Sequence, residues 1–183
     1  MLINIKHKAS QSLGFIRRNL KHCYESFKET AYISLVRSVL EYSSTVWDPH
    51  TNKEIKQIEK IQRNAARFVK RDYSMHSNSV TKMMNDLNWR HLQLRRRDSR
   101  LVLLYKIINN LVAIPTDNHL SYKSQNYNLR TSNKKQIHTK STNVDNFKYS
   151  FFPRTIKEWN NLSVNVVSCQ SVITFRAALQ QKI

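Results

Sequence analysis

Glycine is almost absent from this sequence. Gly14 is the single glycine among 183 residues. Glycine-rich phosphate loops and dinucleotide-binding turns need several glycines at fixed spacing, and a nucleophile elbow needs glycines around its serine. The sequence therefore excludes nucleotide-binding folds of those kinds and hydrolases built on that elbow. With only three prolines as well, the composition favours helices.

The acidic, histidine and cysteine residues also lack the spacing of a catalytic or metal-binding site. The chain has 12 Asp and Glu residues, and no two of them are adjacent. A two-metal phosphoryl-transfer site needs carboxylates close together. The seven histidines show no HExxH spacing, and Cys23 and Cys169 belong to no CxxC motif. We expect two free thiols, no metal site, no cofactor and no catalytic activity in the isolated chain.

Long apolar runs are missing too. The longest, LVLLYKII, is interrupted by Lys106 and is far shorter than the roughly 20 residues that cross a membrane. The N-terminal segment has no cleavable signal pattern. Apolar residues nevertheless make up 40% of the chain, enough for one domain or two small ones. These features predict an intracellular protein, nuclear or cytoplasmic, with no membrane partner.

Positive charge is the dominant feature that remains. Lys and Arg number 31, which leaves a formal net charge of +19. A chain this basic repels itself unless a polyanion lies nearby. Nucleic acid is the commonest such partner. An anionic membrane surface and a merely basic soluble protein are the alternatives.

The charge is most ordered in the segment WDPHTNKEIKQIEKIQRNAARFVKRDY, residues 47–73. Its spacing predicts a helix over 52–71 with opposite apolar and basic faces. The apolar face contains Ile55, Ile58, Ile61, Ala65, Phe68 and Val69, and the basic face contains Lys56, Lys60, Arg63, Arg67 and Lys70. Thr51 and Glu54 have the spacing of a capping box. This pattern is typical of a helix that packs on a core and faces phosphates.

The remaining pattern predicts a mainly α protein, a helical bundle with a small β-hairpin in its C-terminal half. Helices over 2–22, 27–46 and 52–71 would form a three-helix module in residues 1–73. Ser26 and Glu29 resemble a capping box for the second helix. A linker is expected at 74–78, then a C-terminal segment over 79–183. That segment would contain helices at 79–87 and 90–112, strands at 135–141 and 146–152, and helices beginning near Pro153 and Ser171.

Several separated segments resemble one family. They are ASQSLGFIRRNL, AYISLVRSVLEY, LEYSSTVWDPHT, IEKIQRNAARF, LNWRHLQLRRRDSRLVLLYKII and FFPRTIKEWNNL. In this order they resemble the thumb and the following region of reverse transcriptases from non-LTR (LINE-type) retrotransposons. The resemblance covers nearly the whole chain and is weaker over 115–145. It implies a region that holds the RNA–DNA duplex behind the catalytic site. The catalytic aspartates of that family lie upstream of the matching region.

The resemblance and the charge together predict contacts to the backbone of RNA, DNA or an RNA–DNA hybrid. The candidate residues are Lys56, Lys60, Arg63, Arg67, Lys70 and Arg71, with support from Arg17, Arg18, Arg95 and Arg96. Arg17 and Arg18 could instead interact favourably with the helix dipole at the C-terminal end of their helix. At least one arginine of the run at 95–97 should be an ordinary surface charge.

Aromatic residues divide into two groups in this interpretation. Trp47, Trp89 and Trp159 are expected to anchor the core. Tyr73 follows Lys70 and Arg71 and is a candidate for contact with a sugar or base.

Two alternatives to an autonomous nucleic-acid-binding fragment remain open. The chain could be an accessory part of a polymerase whose catalytic core is supplied by another polypeptide. It could also be a decayed remnant of an element, without function.

Overall fold

The computed structural model describes residues 2–74, 77–116, 120–121, 136–139 and 144–181. Its regular secondary structure is helical throughout these ranges, which confirms the mainly α prediction. The chain divides into two compact units, residues 1–96 and 97–183. Each unit has its own cluster of buried apolar side chains.

The first unit is a bundle around α1 and α5. Its helices are α1 (Leu2–Asn19), α2 (Glu25–Tyr32), α3 (Ser38–Glu41), α4 (Ser44–Trp47), α5 (Asn52–Lys70) and α6 (Ser77–Asp86). α1 packs against α2, α3 and α5, and α6 packs against α5. A further helix, α7 (Leu92–Ile108), begins in this unit and continues into the second. The buried core includes Ala9, Leu13, Ile16, Tyr32, Val36, Leu40, Ile58, Ile61 and Leu92.

The second helix differs from its prediction. It begins at Glu25, passes through a wider π-helical turn at Ile33–Arg37 and ends at Glu41 rather than near 46. Ser43 has a left-handed φ of 49°, which separates α3 from α4. The Ser26–Glu29 capping box is wrong, because Tyr24 precedes the helix and caps it with no side-chain bond. The Glu29 carboxylate instead accepts a hydrogen bond of 3.0 Å from Trp89 Nε1.

The boundary between units lies later than the linker predicted at 74–78. The residues that follow that segment belong to the first core, since Val80, Met83, Met84, Leu87 and Trp89 are all buried in it. The Trp89 ring stacks on the Tyr32 ring, with 4.3 Å between centroids. The predicted linker at 74–78 therefore falls within the first unit rather than at a domain junction.

The second unit packs the later part of α7 with four helices. These are α8 (Asp145–Lys148), α9 (Phe151–Asn160), α10 (Val164–Val167) and α11 (Val172–Gln181). Its core contains Leu101, Leu104, Ile107, Ile156, Trp159, Val167, Phe175 and Leu179. Pro153 lies in the first turn of α9, as predicted. Ser171 caps α11, since its hydroxyl accepts from the Thr174 N–H at 3.1 Å.

The predicted β-hairpin is wrong where the structure describes it. Residues 146–152 lie in α8, in the turn after it and in the start of α9, and the described residues contain no strand. The alternation of Phe147, Tyr149 and Phe151 suggested a half-buried strand, but Phe147 and Tyr149 are exposed. The helical spacing of Phe152, Ile156 and Trp159 prevails because it buries apolar side chains. Of the other strand, residues 135, 140 and 141 lie outside the described part.

Candidate nucleic-acid interface

α5 has the two faces that its sequence predicts. All six residues of its apolar face, Ile55, Ile58, Ile61, Ala65, Phe68 and Val69, are buried. The helix begins after Thr51, whose hydroxyl accepts from the Glu54 N–H at 3.4 Å and donates to the Glu54 carboxylate at 2.8 Å. The basic stripe, Lys56, Lys60, Arg63, Arg67 and Lys70, lies on the opposite side. Lys56 and Lys60 are exposed, and the other three are half-buried.

The C-terminal end of the basic stripe is held by contacts within the protein. Lys70 forms an ion pair with Glu25 at the start of α2. Arg71 has a left-handed φ of 55°, and its Nη2 donates to the Cys23 carbonyl oxygen at 2.8 Å. The Arg67 Nε is buried and has no hydrogen-bond partner among the described residues. Lys56 and Lys60 are therefore the members of the stripe most accessible to a phosphate.

α1 and α5 run in the same direction side by side. Lys6 donates to Gln57 near the start of both helices. Near their ends Arg17 and Arg71 line the same cleft. Arg17 and Arg18 in the last turn of α1 are both exposed. The two helices thus bring basic residues from separate parts of the sequence to one end of the bundle.

That end of the bundle contains an open cavity of about 800 Å³, which we call the cationic cleft. Its lining residues are Gly14, Arg17, Arg18, Lys21, His22, Lys28, Phe68, Arg71 and Tyr73. Five of these carry positive charge, and the lining drawn from the described residues includes no carboxylate. Convergent cations without an acidic partner create a strongly positive local potential. The cleft is therefore suited to an anionic ligand.

Lys28 forms the least solvated part of the cationic cleft. Its side chain is buried, with 1% of its surface exposed, and its ammonium lies 5.0 Å from the centre of the Phe68 ring. Burial lowers the pKa of Lys28 below its usual value, and the positive charge of Arg71 lowers it further. Glu25 acts in the opposite direction, but its carboxylate forms an ion pair with Lys70. The ion pairs among the described residues do not include Lys28.

The arginines at the start of α7 have structural contacts instead. Arg96 is completely buried, and its Nε donates to Asp48 Oδ1 at 2.7 Å. Its guanidinium also lies 5.9 Å from the centre of the Trp47 ring. Arg95 binds Glu41, with Nη2 donating at 3.0 Å. Arg96 cannot reach a phosphate at the surface, so the prediction that included it is wrong, and Arg95 is already occupied by a carboxylate.

The aromatic residues are likewise either buried in a core or exposed at the cleft. Trp47, Trp89 and Trp159 are buried, which confirms that they anchor the two cores. Tyr73 is 55% exposed and lines the cationic cleft. Its position next to cationic side chains agrees with its predicted role without testing it.

Sequence reasoning missed Lys21, Lys28 and Phe68 as neighbours of Arg17 and Arg71. Lys28 lies four residues before the buried Tyr32, on the inward face of α2. A lysine at an apolar position of an amphipathic helix is rare unless it is paired. That spacing was the available signal, whereas the approach of α1 to the end of α5 depends on the tertiary structure.

The described residues contain neither a metal-binding cluster nor a membrane-spanning helix. Among the described residues, no group of three or more His, Cys, Asp and Glu side chains is arranged to hold a metal ion. In the described ranges, no helix combines the length and apolar character needed to cross a membrane. Cys23 and Cys169 are free cysteines, as their spacing predicts.

No protein family, curated protein or solved structure matches this chain.

Proposed function

We propose that residues 1–96 bind the sugar-phosphate backbone of a nucleic acid, through the cationic cleft and the exposed part of the basic stripe. The observation that supports this most is the composition of the cleft, in which five cationic side chains converge without a carboxylate among the described lining residues. Backbone phosphates are the commonest partners of such clusters. The proposal covers RNA, DNA and RNA–DNA hybrids.

The geometry favours contacts that do not depend on base sequence. Lysine and arginine side chains on a helix face bind phosphate oxygens and position a ligand without reading its bases. Lys56 and Lys60 are exposed one helical turn apart on α5, and Arg17 and Arg18 are exposed at the end of α1. Of the four arginines predicted to support the basic stripe, Arg17 and Arg18 are the two that keep this role. The resemblance to a retrotransposon reverse transcriptase thumb agrees with this assignment.

This function is non-catalytic. The acidic residues of the chain are scattered singly, so the paired carboxylates of a polymerase site would have to come from another polypeptide. An accessory role beside a separately supplied polymerase core is therefore compatible with backbone binding. Such a role places the protein inside the cell, in the nucleus or the cytoplasm.

Fluorescence anisotropy with a labelled RNA–DNA hybrid tests this function across a salt series. If about five phosphates are neutralised, log affinity falls with log salt concentration at a slope near −4.5. The double variant Lys56→Glu, Lys60→Glu should weaken binding equally for hybrids of different sequence, and its slope should be shallower by about 2. Both effects follow from the loss of two phosphate contacts.

The matched control is the double variant Lys82→Glu, Lys157→Glu. It changes the net charge by the same amount at two other exposed lysines. Equal loss of affinity in the two double variants would mean that total charge, and not the basic stripe, governs binding. No binding by the folded protein at low salt would reject the proposal and favour the decayed remnant. Polymerase activity regained on mixing with a catalytic core would support the accessory role.

A further inference from the structure

The cationic cleft differs from the basic stripe in shape and solvation. The stripe is a convex helix face whose most accessible members, Lys56 and Lys60, are exposed. The cleft is a concave site of about 800 Å³ with a buried lysine in its lining. A convex face suits a continuous backbone that passes over it, whereas a concave site suits a group that enters it.

We propose that the cationic cleft is a discrete site for the terminal phosphate of a nucleotide, with Lys28 as its deepest ligand. This inference rests on the proposed nucleic-acid binding and names the ligand group that the cleft takes. The phosphate belongs either to the end of a single strand or to a free mononucleotide. Both sources present the same phosphomonoester chemistry.

Lys28 is a buried cation in the lining of the cleft. A buried ammonium is costly unless an anion or several hydrogen bonds compensate for its lost water. Within the described residues, the Phe68 ring lies under Lys28 and no carboxylate forms an ion pair with it. A bound phosphate would supply the missing anion. Lys28 is therefore a buried cation in the cleft lining, and an anionic ligand would compensate its charge.

Positive charge is concentrated around the cleft. Arg17, Arg18, Lys21 and Arg71 lie around the same cavity as Lys28. A phosphomonoester carries about −1.5 to −2 charges near neutral pH and offers three terminal oxygens. An internal phosphodiester carries a single charge and has substituents on both sides. The monoester therefore matches a concave site with several convergent donors better than a diester does.

An aromatic surface lies beside the cations of the cleft. Phe68 and Tyr73 line the cleft together with Arg71, and Tyr73 is half exposed. Nucleic-acid bases stack on aromatic side chains with little regard to sequence. A cavity of about 800 Å³ has room for one nucleotide. A single-stranded end or a mononucleotide is therefore the ligand class that uses both the cations and the ring.

The test compares a labelled single-stranded oligonucleotide in three forms: with a 5′-phosphate, with a 3′-phosphate, and with hydroxyls at both ends. The full chain should bind at least one phosphorylated form about tenfold more tightly than the unphosphorylated form. Lys28→Met should abolish this preference, so that the ratio of the affinities for the phosphorylated and unphosphorylated forms falls to about one. Methionine preserves an unbranched apolar stem, so the packing over Phe68 should survive.

Two further variants make this result interpretable. Lys82→Met removes one exposed lysine on α6, away from the cleft lining, and should keep the preference. Arg17→Gln changes an exposed cleft residue and should reduce the preference even if Lys28→Met fails to fold. Competition by a nucleoside monophosphate then separates the two sources. Full displacement at low concentration identifies a free mononucleotide as ligand, and weak displacement identifies a strand end.

The outcomes also separate this inference from the proposed function. Equal affinity for all three oligonucleotides, unaffected by Lys28→Met or Arg17→Gln, would overturn the terminal-phosphate site while backbone binding stands. No binding of any oligonucleotide by the folded protein would overturn both. If both cleft variants keep the phosphate preference, the terminal phosphate binds elsewhere on the protein. That result would also reject the cleft as its site.

Discussion

Arg96 and Asp48 form a buried ion pair in which the Arg96 Nε donates to Asp48 Oδ1 at 2.7 Å. The side chain of Arg96 is completely buried, and that of Asp48 is 3% exposed. The pair joins the start of α7 to the segment between α4 and α5. Trp47 packs beside it, since the Arg96 guanidinium lies over its ring. An arginine that resembles a phosphate ligand in the sequence therefore belongs to the interior of the first unit.

Arg96→Met should strongly destabilise the protein, because it leaves the Asp48 carboxylate buried beside an apolar side chain. Removal of one partner from a buried ion pair costs about 3–5 kcal/mol. Urea unfolding followed by circular dichroism measures the loss. Arg95→Met is the matched control on the same helix. Its ion pair with Glu41 is more exposed, so its removal should cost about 1 kcal/mol or less. Equal losses in the two variants would contradict a specific role for the buried pair.

Truncation tests where the first unit ends. A fragment of residues 1–96 should fold and unfold cooperatively, whereas a fragment of residues 1–73 should not. The shorter fragment lacks Val80, Met83, Met84, Leu87 and Trp89, all buried in its core. Each such side chain contributes about 1.5–3 kcal/mol through burial, so their sum is comparable to the whole stability of a typical domain, about 5–15 kcal/mol. Gel filtration and urea unfolding distinguish the two fragments. A cooperative unfolding transition in the shorter fragment would support the domain boundary predicted at 74–78.

Helical periodicity predicted most of this fold, because it depends on local spacing alone. The two faces of α5 and its start after Thr51 follow from the positions of its isoleucines and lysines. The false hairpin at 146–152 arose from a few alternating residues. Phe147, Tyr149 and Phe151 satisfy a period of two, but the helical stripe that includes Trp159 buries more apolar surface. Short segments remain ambiguous when both periods fit.

The candidate site was harder to predict from the sequence, because it depends on which cationic side chains form ion pairs within the protein. Lys70 and Arg95 belong to basic runs in the sequence, yet both pair with glutamates more than 40 residues away, Glu25 and Glu41. Arg17 and Arg71 line the same cleft although they lie 54 residues apart in the sequence. No local pattern contains such pairings. The sequence predicted a basic surface, and tertiary packing decides which of its members remain accessible.

Gly14→Ala should stabilise the protein by about 1 kcal/mol, because alanine has the higher helix propensity. Gly14 lies within α1 and has no positive φ that would strain a side chain. A Cβ atom there would lie 3.4 Å from Arg18 Nη1, at the end of a flexible side chain. Urea unfolding measures the gain. Ser10→Ala on the exposed side of the same helix is the control, with a smaller expected gain. A loss of stability at Gly14 would mean that Arg18 cannot move.

The stability of the ligand-free protein should depend on pH through Lys28. Burial, and then the charge of Arg71, lower the pKa of Lys28 in the folded state, whereas the unfolded chain keeps the ordinary lysine pKa of 10.5. Between these two values the unfolded state binds more protons, so stability rises with pH there. Below the folded-state pKa the full cost of the buried charge is present. Other charged or titratable groups around Lys28 are Arg17, Arg18, Lys21, His22, Cys23, Glu25 and Tyr73.

Lys28→Met removes that cost, so it should be more stable than the natural protein at pH 7. The difference should shrink as the pH approaches 10.5 and vanish well above it, where Lys28 is neutral in both states. Urea unfolding of both proteins at pH 7 and near pH 10 measures it, and Lys82→Met, at an exposed lysine, should show no comparable trend. A less stable Lys28→Met at pH 7 would mean that the contact with the Phe68 ring outweighs the burial cost. A gain in stability, together with lost phosphate preference, would identify Lys28 as a residue kept for binding rather than for folding.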